Sequence, residues 1–481
     1  MTRRSDHTRH LGLALGFKAL VSALVLLVGF RALSDDDYAR IVIAQRFAVA
    51  PSFDPSGTSW LPFPFWLNGS AMLLFGRAPW VARGVALTSG LFAVALCFAA
   101  ARRLGYSTRS ALLGATLSGV VPYAAWLGVA TVPELLTAAL IVFGASTAGR
   151  DVSLKVRILG GGALCLAALS RYEAWPVVLC FAGFALWDAR RDAGAAAAGA
   201  VACSGPATWL VHGSLNHDSP FFFIKRVADY HRAVGAGGQS WFSGLLEKPV
   251  AFFRCEPELS ATLTILLIAT WRTPSRGHLG SSKRFIACLA ALLAFVVVAD
   301  MRGAAATHHE ERVLLALWLG AALLIGHLAL ALPTGLVQAK RRALAGIVLA
   351  AAAVSGFWLR PWFARRDAFI DRSAHMALGN QAARTAPDAR VLIDTPDFGF
   401  YAVIAGHGDP RLAHPLDDRD PRRPRQADPF ADASALRAKL RSEDARLLIA
   451  SGDAHRARGR EIGFELARAG ELSLFALQPP Q

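Results

Sequence analysis

The sequence predicts a polytopic α-helical membrane protein, with about eleven transmembrane helices and a C-terminal extracytoplasmic α/β domain. Three observations carry that expectation. Apolar stretches recur along most of the 481 residues, many near the ~17 to 25 residues that a helix needs to cross a bilayer. Hydrophobic residues make up 54% of the chain and charged ones only 18%, which is not the balance of a soluble protein of this size. Past Arg360 the long apolar stretches give way to short ones of strand length, set among polar helical patterns.

In chain order, Arg3, Arg4 and Arg9 lead into the first apolar run, 11–33. Ala32-Leu33-Ser34 has the small residues of a signal-peptidase site. The run is long for a signal sequence, however, and it carries Lys18, so it reads as a retained first helix. Further runs fall at 80–101, 109–128, 131–148, 156–170, 174–188, 195–212, 258–271, 285–300, 312–332 and 342–359. With the N-terminus in the cytoplasm, five basic loops all lie inside, as the positive-inside rule asks. They contain Arg102 and Arg103, Arg150 to Arg157, Arg190 and Arg191, Arg272 to Arg284, and Lys340 to Arg342.

That orientation puts the loops 31–79 and 213–257 and the domain 360–481 outside, around a transmembrane module of residues 1–359. A composition rich in Ala, Arg and Gly points to a bacterial inner membrane. The formal charge of +16 is spread over short loops between apolar runs, a topology signal that argues against nucleic-acid binding. The six cysteines show neither disulfide-framework nor zinc-site spacing.

Within the first outer loop, Asp35 to Val49 reads as a helix and 51–57 as turn chemistry. The stretch 60–67, two prolines among aromatics, suits a segment lying in the headgroup zone. In the C-terminal domain, 391–394 and 447–450 read as buried strands, and 365–385, 397–406, 432–442 and 456–468 as helices. The Pro-, Asp- and Arg-rich stretch 409–429 reads as an irregular loop, and no Gly-rich phosphate loop marks the domain as nucleotide-binding.

The chemistry clusters on the outer face. Asp35, Asp36 and Asp37 stand together where the first span leaves the bilayer, a place where ionisable groups are costly. Mutual repulsion raises the pKa of at least one of them unless a cation compensates, and a carboxylate so tuned can take a proton from a hydroxyl. The plainer reading is an acidic helix start, with Arg40 pairing to Asp36 across one turn. Arg171, Tyr172 and Glu173 sit between two spans, where a guanidinium held by a carboxylate can grip a phosphate. The plainer alternative is an interfacial anchor. His308, His309, Glu310 and Arg312 precede another span, with Arg302 before them. Consecutive His-His-Glu is poor metal spacing, so these residues suit an anionic headgroup better than zinc. No motif calls for a resident metal or other cofactor, and a divalent cation is left open.

These motifs resemble a known superfamily. Asp35-Asp36-Asp37-Tyr38-Ala39 is similar to the acidic pair followed closely by Tyr-Ala in GT-C membrane glycosyltransferases, among them protein O-mannosyltransferases and aminoarabinose transferases of lipid A. His308 to Leu314 resembles the His-Lys-Glu-Glu-Arg-Phe-Leu motif of the mannosyltransferases that build GPI anchors and lipid-linked oligosaccharides. Asp394 to Tyr401 looks like the segment that opens the outer domain in bacterial members. The resemblance implies a polyprenyl-phosphate-linked sugar as donor and a lipid, glycan or protein acceptor with a hydroxyl or amine. It further implies transfer at the outer face with inversion, and a first-loop Asp as base. Asp36 is the first choice, with Asp35 and Asp37 as alternates; Arg171, Arg302 and Arg312 are the phosphate holders. A second His in place of Lys detaches the motif from mannose in particular. A transporter or flippase of lipid-linked substrates and a non-catalytic membrane subunit are the competing readings. A transporter tends to show internal repeats and midplane charges, neither of which is evident.

Overall fold

The computed structural model describes residues 2–233, 241–271, 282–302, 310–331, 369–417, 420, 422 and 428–477. His308 and His309, and the expected span 342–359, lie outside the described residues.

Fifteen helices form the N-terminal part among the described residues: α1 (Thr2–Leu27), α2 (Asp35–Val49), α3 (Phe63–Phe75), α4 (Pro79–Arg103), α5 (Thr108–Val120), α6 (Pro122–Leu127), α7 (Glu134–Ser146), α8 (Leu154–Ala168), α9 (Trp175–Ala189), α10 (Gly194–Asn216), α11 (Phe222–Ala233), α12 (Trp241–Cys255), α13 (Pro257–Trp271), α14 (Lys283–Met301) and α15 (Glu310–Ala331). Five stretches are long and apolar enough to cross a membrane: 6–27 in α1, 79–103 (α4), 194–216 (α10), 283–301 (α14) and 312–330 in α15.

The expectation of eleven spans is thus met by five helices of spanning length among the described residues. Four other predicted runs fold as the 13 residues of α7 and the 15 each of α8, α9 and α13, shorter than an unaided crossing requires. The run 109–128 breaks at Val121-Pro122, where proline disfavours helical geometry in the residue before it, and α6 starts afresh with Pro122 in its first turn. Lys18, buried in α1, donates from Nζ to the carbonyls of Gly119 (3.3 Å) and Ala124 (3.1 Å) around that break. Two further stretches of the outer loops are helical. The headgroup segment 60–67 runs into α3, because Pro64 fits a first helical turn. The loop 213–257 is largely helical: α10 extends to Asn216, and α11 and α12 are amphipathic, with Ile224, Val250 and Phe253 exposed.

The C-terminal part builds a five-stranded sheet from β1 (Arg390–Ile393), β2 (Ala413–Pro415), β3 (Ala445–Ser451), β4 (Gly463–Ala469) and β5 (Leu472–Leu477), in the order β2-β1-β3-β5-β4. β1 is parallel to β2 and β3, whereas β5 is antiparallel to β3 and β4. Helices α16 (Ser373–Thr385), α17 (Phe400–His407), α18 (Ala433–Ser442) and α19 (Asp453–Ile462) accompany it. The expected helix 456–468 stops at Ile462, and its second half is β4, turned into a hairpin with β5 at Gly470. Within the expected irregular loop 409–429, residues 413–415 form β2.

One hydrophobic cluster joins the two parts. Tyr38, Ile41 and Val42 of α2 pack with Leu378, Val391 and Val403 of the C-terminal part. Polar contacts repeat the join: Gln45 donates to the carbonyl of Ala405 (2.9 Å), Arg77 pairs with Asp409 (3.2 Å), and Ala32 bridges to Ile370. Helix α2 is therefore a shared wall between bundle and sheet.

Candidate active site

The site begins with how α2 starts. Ser34 is the N-cap, and three aspartates follow in the first turn, where unpaired backbone N–H groups and the helix dipole favour negative charge. The structure then gives each carboxylate different partners.

Asp37 is buried and turned inward. Its Oδ2 accepts from the backbone N–H of Leu33 (3.1 Å) and Ser34 (3.3 Å), and its Oδ1 from the N–H (2.8 Å) and hydroxyl (3.1 Å) of Thr131. Burial raises its pKa above the ordinary aspartate value, against the pull of Arg83, Arg312 and these donors. The geometry is that of a pin fastening α2 to the segment ahead of α7. Asp35 takes a two-pronged grip from Arg372, Nε to Oδ1 at 3.0 Å and Nη2 to Oδ2 at 2.9 Å. The same guanidinium reaches Asp397 at 2.6 Å, and the two carboxylates together outweigh burial to raise the Arg372 pKa. Asp36 is the most exposed of the three, its side chain 38% accessible, and its Oδ2 accepts from Arg312 Nη1 at 2.6 Å.

Arg312 is itself enclosed, donates from Nη2 to Ser34 Oγ (2.6 Å), and lies 3.8 Å from Glu134. Glu134, at the start of α7, also accepts from Arg171 Nη1 at 2.6 Å, while Arg171 Nε pairs with Glu173. Burial works against the Arg171 charge, yet Glu173 and Glu134 outweigh it and hold the guanidinium above its ordinary value. The remaining carboxylate oxygen of Glu134 is buried and makes no hydrogen bond. Such an orphan is costly unless something else occupies the site.

Arg40, one turn past Asp36, stacks over Trp60 at 4.5 Å instead of pairing with Asp36. Its Nε is buried without a hydrogen-bond partner among the described residues, and burial lowers its pKa despite the charges of Glu134 and Asp36. Beside this group lies a small cleft, partly open to solvent. Its walls include Phe63, Leu67, Gly90, Thr131 and Ser170.

The residues singled out from the sequence distribute plainly. Asp35, Asp36, Asp37, Arg171, Glu173 and Arg312 meet around Glu134 and the start of α2. Tyr172 faces the packing: its hydroxyl donates to the carbonyl of Ser59 (2.8 Å), accepts from Trp209 (3.1 Å), and its ring stacks on Phe223. Arg302 is exposed at the end of α14 and joins none of these pairs. Glu310 opens α15, with its side chain outside the described residues. Glu134, Arg40 and Arg372 were not singled out as site residues. A lone carboxylate following Thr131-Val132-Pro133 at the head of an apolar run was the available signal for Glu134.

Residues 56–211 match the sequence model of the family described as dolichyl-phosphate-mannose-protein mannosyltransferase. No curated protein matches the chain in sequence. The fold is similar to that of ArnT from Cupriavidus metallidurans bound to undecaprenyl phosphate. The identity is 14%, over 98% of this chain and 99% of that one, with a TM-score of 0.65. The apo state of that protein matches with a TM-score of 0.57, at 14% identity over 98% and 100% of the two chains. The apo form of the Archaeoglobus fulgidus oligosaccharyltransferase is similar at 13% identity over 92% of this chain and 69% of that one, with a TM-score of 0.54. The matched family and the matched structures are all of the GT-C type that the sequence motifs resemble.

Proposed function

We propose that the chain is a membrane glycosyltransferase of the GT-C type, which moves a sugar from a polyprenyl-phosphate donor to an acceptor hydroxyl or amine, with Asp36 as general base. The acceptor is a lipid, glycan or protein, and the transfer takes place at the extracytoplasmic face of a bacterial inner membrane with inversion of the anomeric carbon. The observation that carries this reading is the part-exposed Asp36 carboxylate set 2.6 Å from Arg312 and beside Arg40. A base needs access to the incoming proton, and Asp36 is the member of the triplet with that access.

The chemistry follows from the charges. As the bond to the anomeric carbon breaks, negative charge gathers on the departing lipid phosphate, and preorganised cations stabilise it. Arg40 and Arg312 suit that role, Arg40 because its guanidinium carries an unused donor. Arg171, held by two carboxylates, suits the orientation of Glu134 and Arg312. The apolar cleft beside Thr131 and Ser170 offers a lateral path for the lipid tail. A divalent ion is not required by this scheme, since guanidinium groups supply the positive charge.

The test is transfer from a panel of labelled undecaprenyl-phosphate sugars in proteoliposomes, comparing the native chain with Asp36→Asn. Loss of transfer by ~10² to 10⁴-fold, with elution and melting unchanged, is the expected result. Undiminished transfer by the variant removes Asp36 from the mechanism. Donor movement without sugar transfer favours the flippase reading.

A further inference from the structure

We infer that Asp54, His212 and His217 form a binding site for a divalent transition metal, zinc by its donor set. Asp54 Oδ2 lies 3.6 Å from His212 Nε2 and 3.8 Å from His217 Nε2, and the three ligand atoms all lie within 4.8 Å of one another. Both carboxylate–imidazole separations are too long for hydrogen bonds, so a simple Asp–His hydrogen-bond cluster does not account for the arrangement. They are close to what an ion demands. Bonds of ~2.0–2.2 Å in tetrahedral geometry place donors roughly 3.3–3.5 Å apart, so these two edges need to shorten by only a few tenths of an ångström.

The side chains are also held for the purpose. Asp54 Oδ1 is taken by the backbone N–H of Ser56 (3.2 Å), the Ser56 hydroxyl (3.0 Å) and the N–H of Gly57 (3.0 Å), which leaves Oδ2 turned to the imidazoles. Trp209 stacks on His212 with centroids 5.0 Å apart, and Phe222 stacks on His217 at 4.0 Å. His212 Nε2 is buried and has no hydrogen-bond partner among the described residues, which leaves a ring nitrogen for an ion to occupy. His212 Nδ1 faces the Asn216 side-chain amide nitrogen at 3.1 Å, and the same nitrogen donates to the His212 carbonyl (3.1 Å), which fixes that edge of the ring. Two imidazoles and one carboxylate are borderline donors that suit zinc far better than calcium or magnesium.

The site ties the turn between α2 and α3 to the end of α10. That turn leads to Ser59, whose carbonyl receives the Tyr172 hydroxyl, and to Trp60, which lies under Arg40. The ion is a positioning element for the wall of the active site and takes no part in a bond-making step.

Metal binding is read without any transfer assay, so it stands or falls apart from the proposed reaction. The full chain in detergent, stripped with EDTA, is titrated calorimetrically with zinc chloride, and cobalt(II) is added in parallel for its visible spectrum. The expected result is one zinc per chain, cobalt bands of imidazole–carboxylate ligation, and affinity at least ~100-fold weaker in His212→Gln and His217→Gln. The part-exposed His217 makes the second variant the milder one, and its zinc-free melting point should equal that of the native chain. Absence of saturable zinc binding, or a cobalt spectrum unchanged in both variants, overturns the assignment.

Discussion

Asp36 and Arg312 are 276 positions apart in the sequence, and their carboxylate and guanidinium groups meet at 2.6 Å. The same guanidinium donates to Ser34, the N-cap of the helix that carries Asp36. Arg312 therefore holds the helix start and its acidic side chain together, and it can do so because a guanidinium presents several donors in a fixed plane. Arg312→Lys keeps the charge and loses the fork. Transfer should fall ~10- to 100-fold in this variant, and Arg312→Gln should fall further, because Glu134 then stays buried with one cation fewer. Initial rates in proteoliposomes check this, and equal rates for native and Lys forms would sink it.

Arg40 shares with Arg312 a buried Nε that lacks a hydrogen-bond partner among the described residues, and differs from it in having an aromatic floor. If that donor meets the donor phosphate, Arg40→Lys raises KM for the lipid-linked sugar by about tenfold or more, since one charge-assisted hydrogen bond is worth ~1.5–3 kcal/mol. The melting point should change little. A KM within twofold of the native value would mean that the phosphate sits elsewhere.

Asp37 is a structural residue, and its substitution should behave differently from that of Asp36. Asp37→Ala leaves the N–H groups of Leu33, Ser34 and Thr131 without their acceptor, while the Thr131 hydroxyl keeps the main-chain carbonyl of residue 37 (3.0 Å). A loss of ~2–4 kcal/mol is expected, beyond the ~1–3 kcal/mol of one unpaired buried group. Thermal unfolding in detergent measures it. Wild-type stability together with lost transfer would instead make Asp37 the base.

Arg372 grips Asp35 of the bundle part and Asp397 of the C-terminal part. Arg372→Gln should lower transfer by weakening the seating of α2, and a double-mutant cycle with Asp35→Asn should give a coupling of ~1–3 kcal/mol in unfolding free energy. Additive effects in that cycle would show that the pair contributes nothing beyond its parts.

Acid should loosen the same join. Arg411 and Arg77 lower the Asp409 pKa, against burial, from 3.8 to about 2. A depressed folded-state value stabilises the protein above the unfolded value, and the contribution is lost as pH falls through the folded one. The window is therefore about pH 4 down to 2. Solvent screening at its exposed partner Arg411 limits the effect to roughly 1 kcal/mol. Asp409→Asn should flatten the stability profile in that window, and an unchanged profile would assign the acid sensitivity to other carboxylates.

What the sequence revealed and what it concealed divide along a physical line. Helix α2 was legible to the residue, since its cap, its acidic first turn and its end before a proline are all local signals. Strands β1 and β3 were legible as short apolar runs. The helix-to-strand switch at Gly463 was not, because the stretch is too polar for periodicity to arbitrate. Charge partners were the least legible part. A local rule pairs Arg40 with Asp36, whereas folding delivers Arg312 from 276 residues away and leaves Arg40 to Trp60. Span counting was legible only in part for a related reason: helices of 13 to 15 residues can be as apolar as a full crossing, so apolar runs alone do not fix which of them span.

The position of α2 between bundle and sheet also dictates an order of events during synthesis. The three aspartates emerge from the ribosome early, but the arginines that neutralise two of them arrive 276 and 337 residues later. Until then the partners at hand are those of Asp37, first the N–H groups of Leu33 and Ser34 and then Thr131, 94 residues later. The candidate site is therefore among the last places in the molecule to be completed, and a chain stopped short of Arg372 would lack the partner of Asp35.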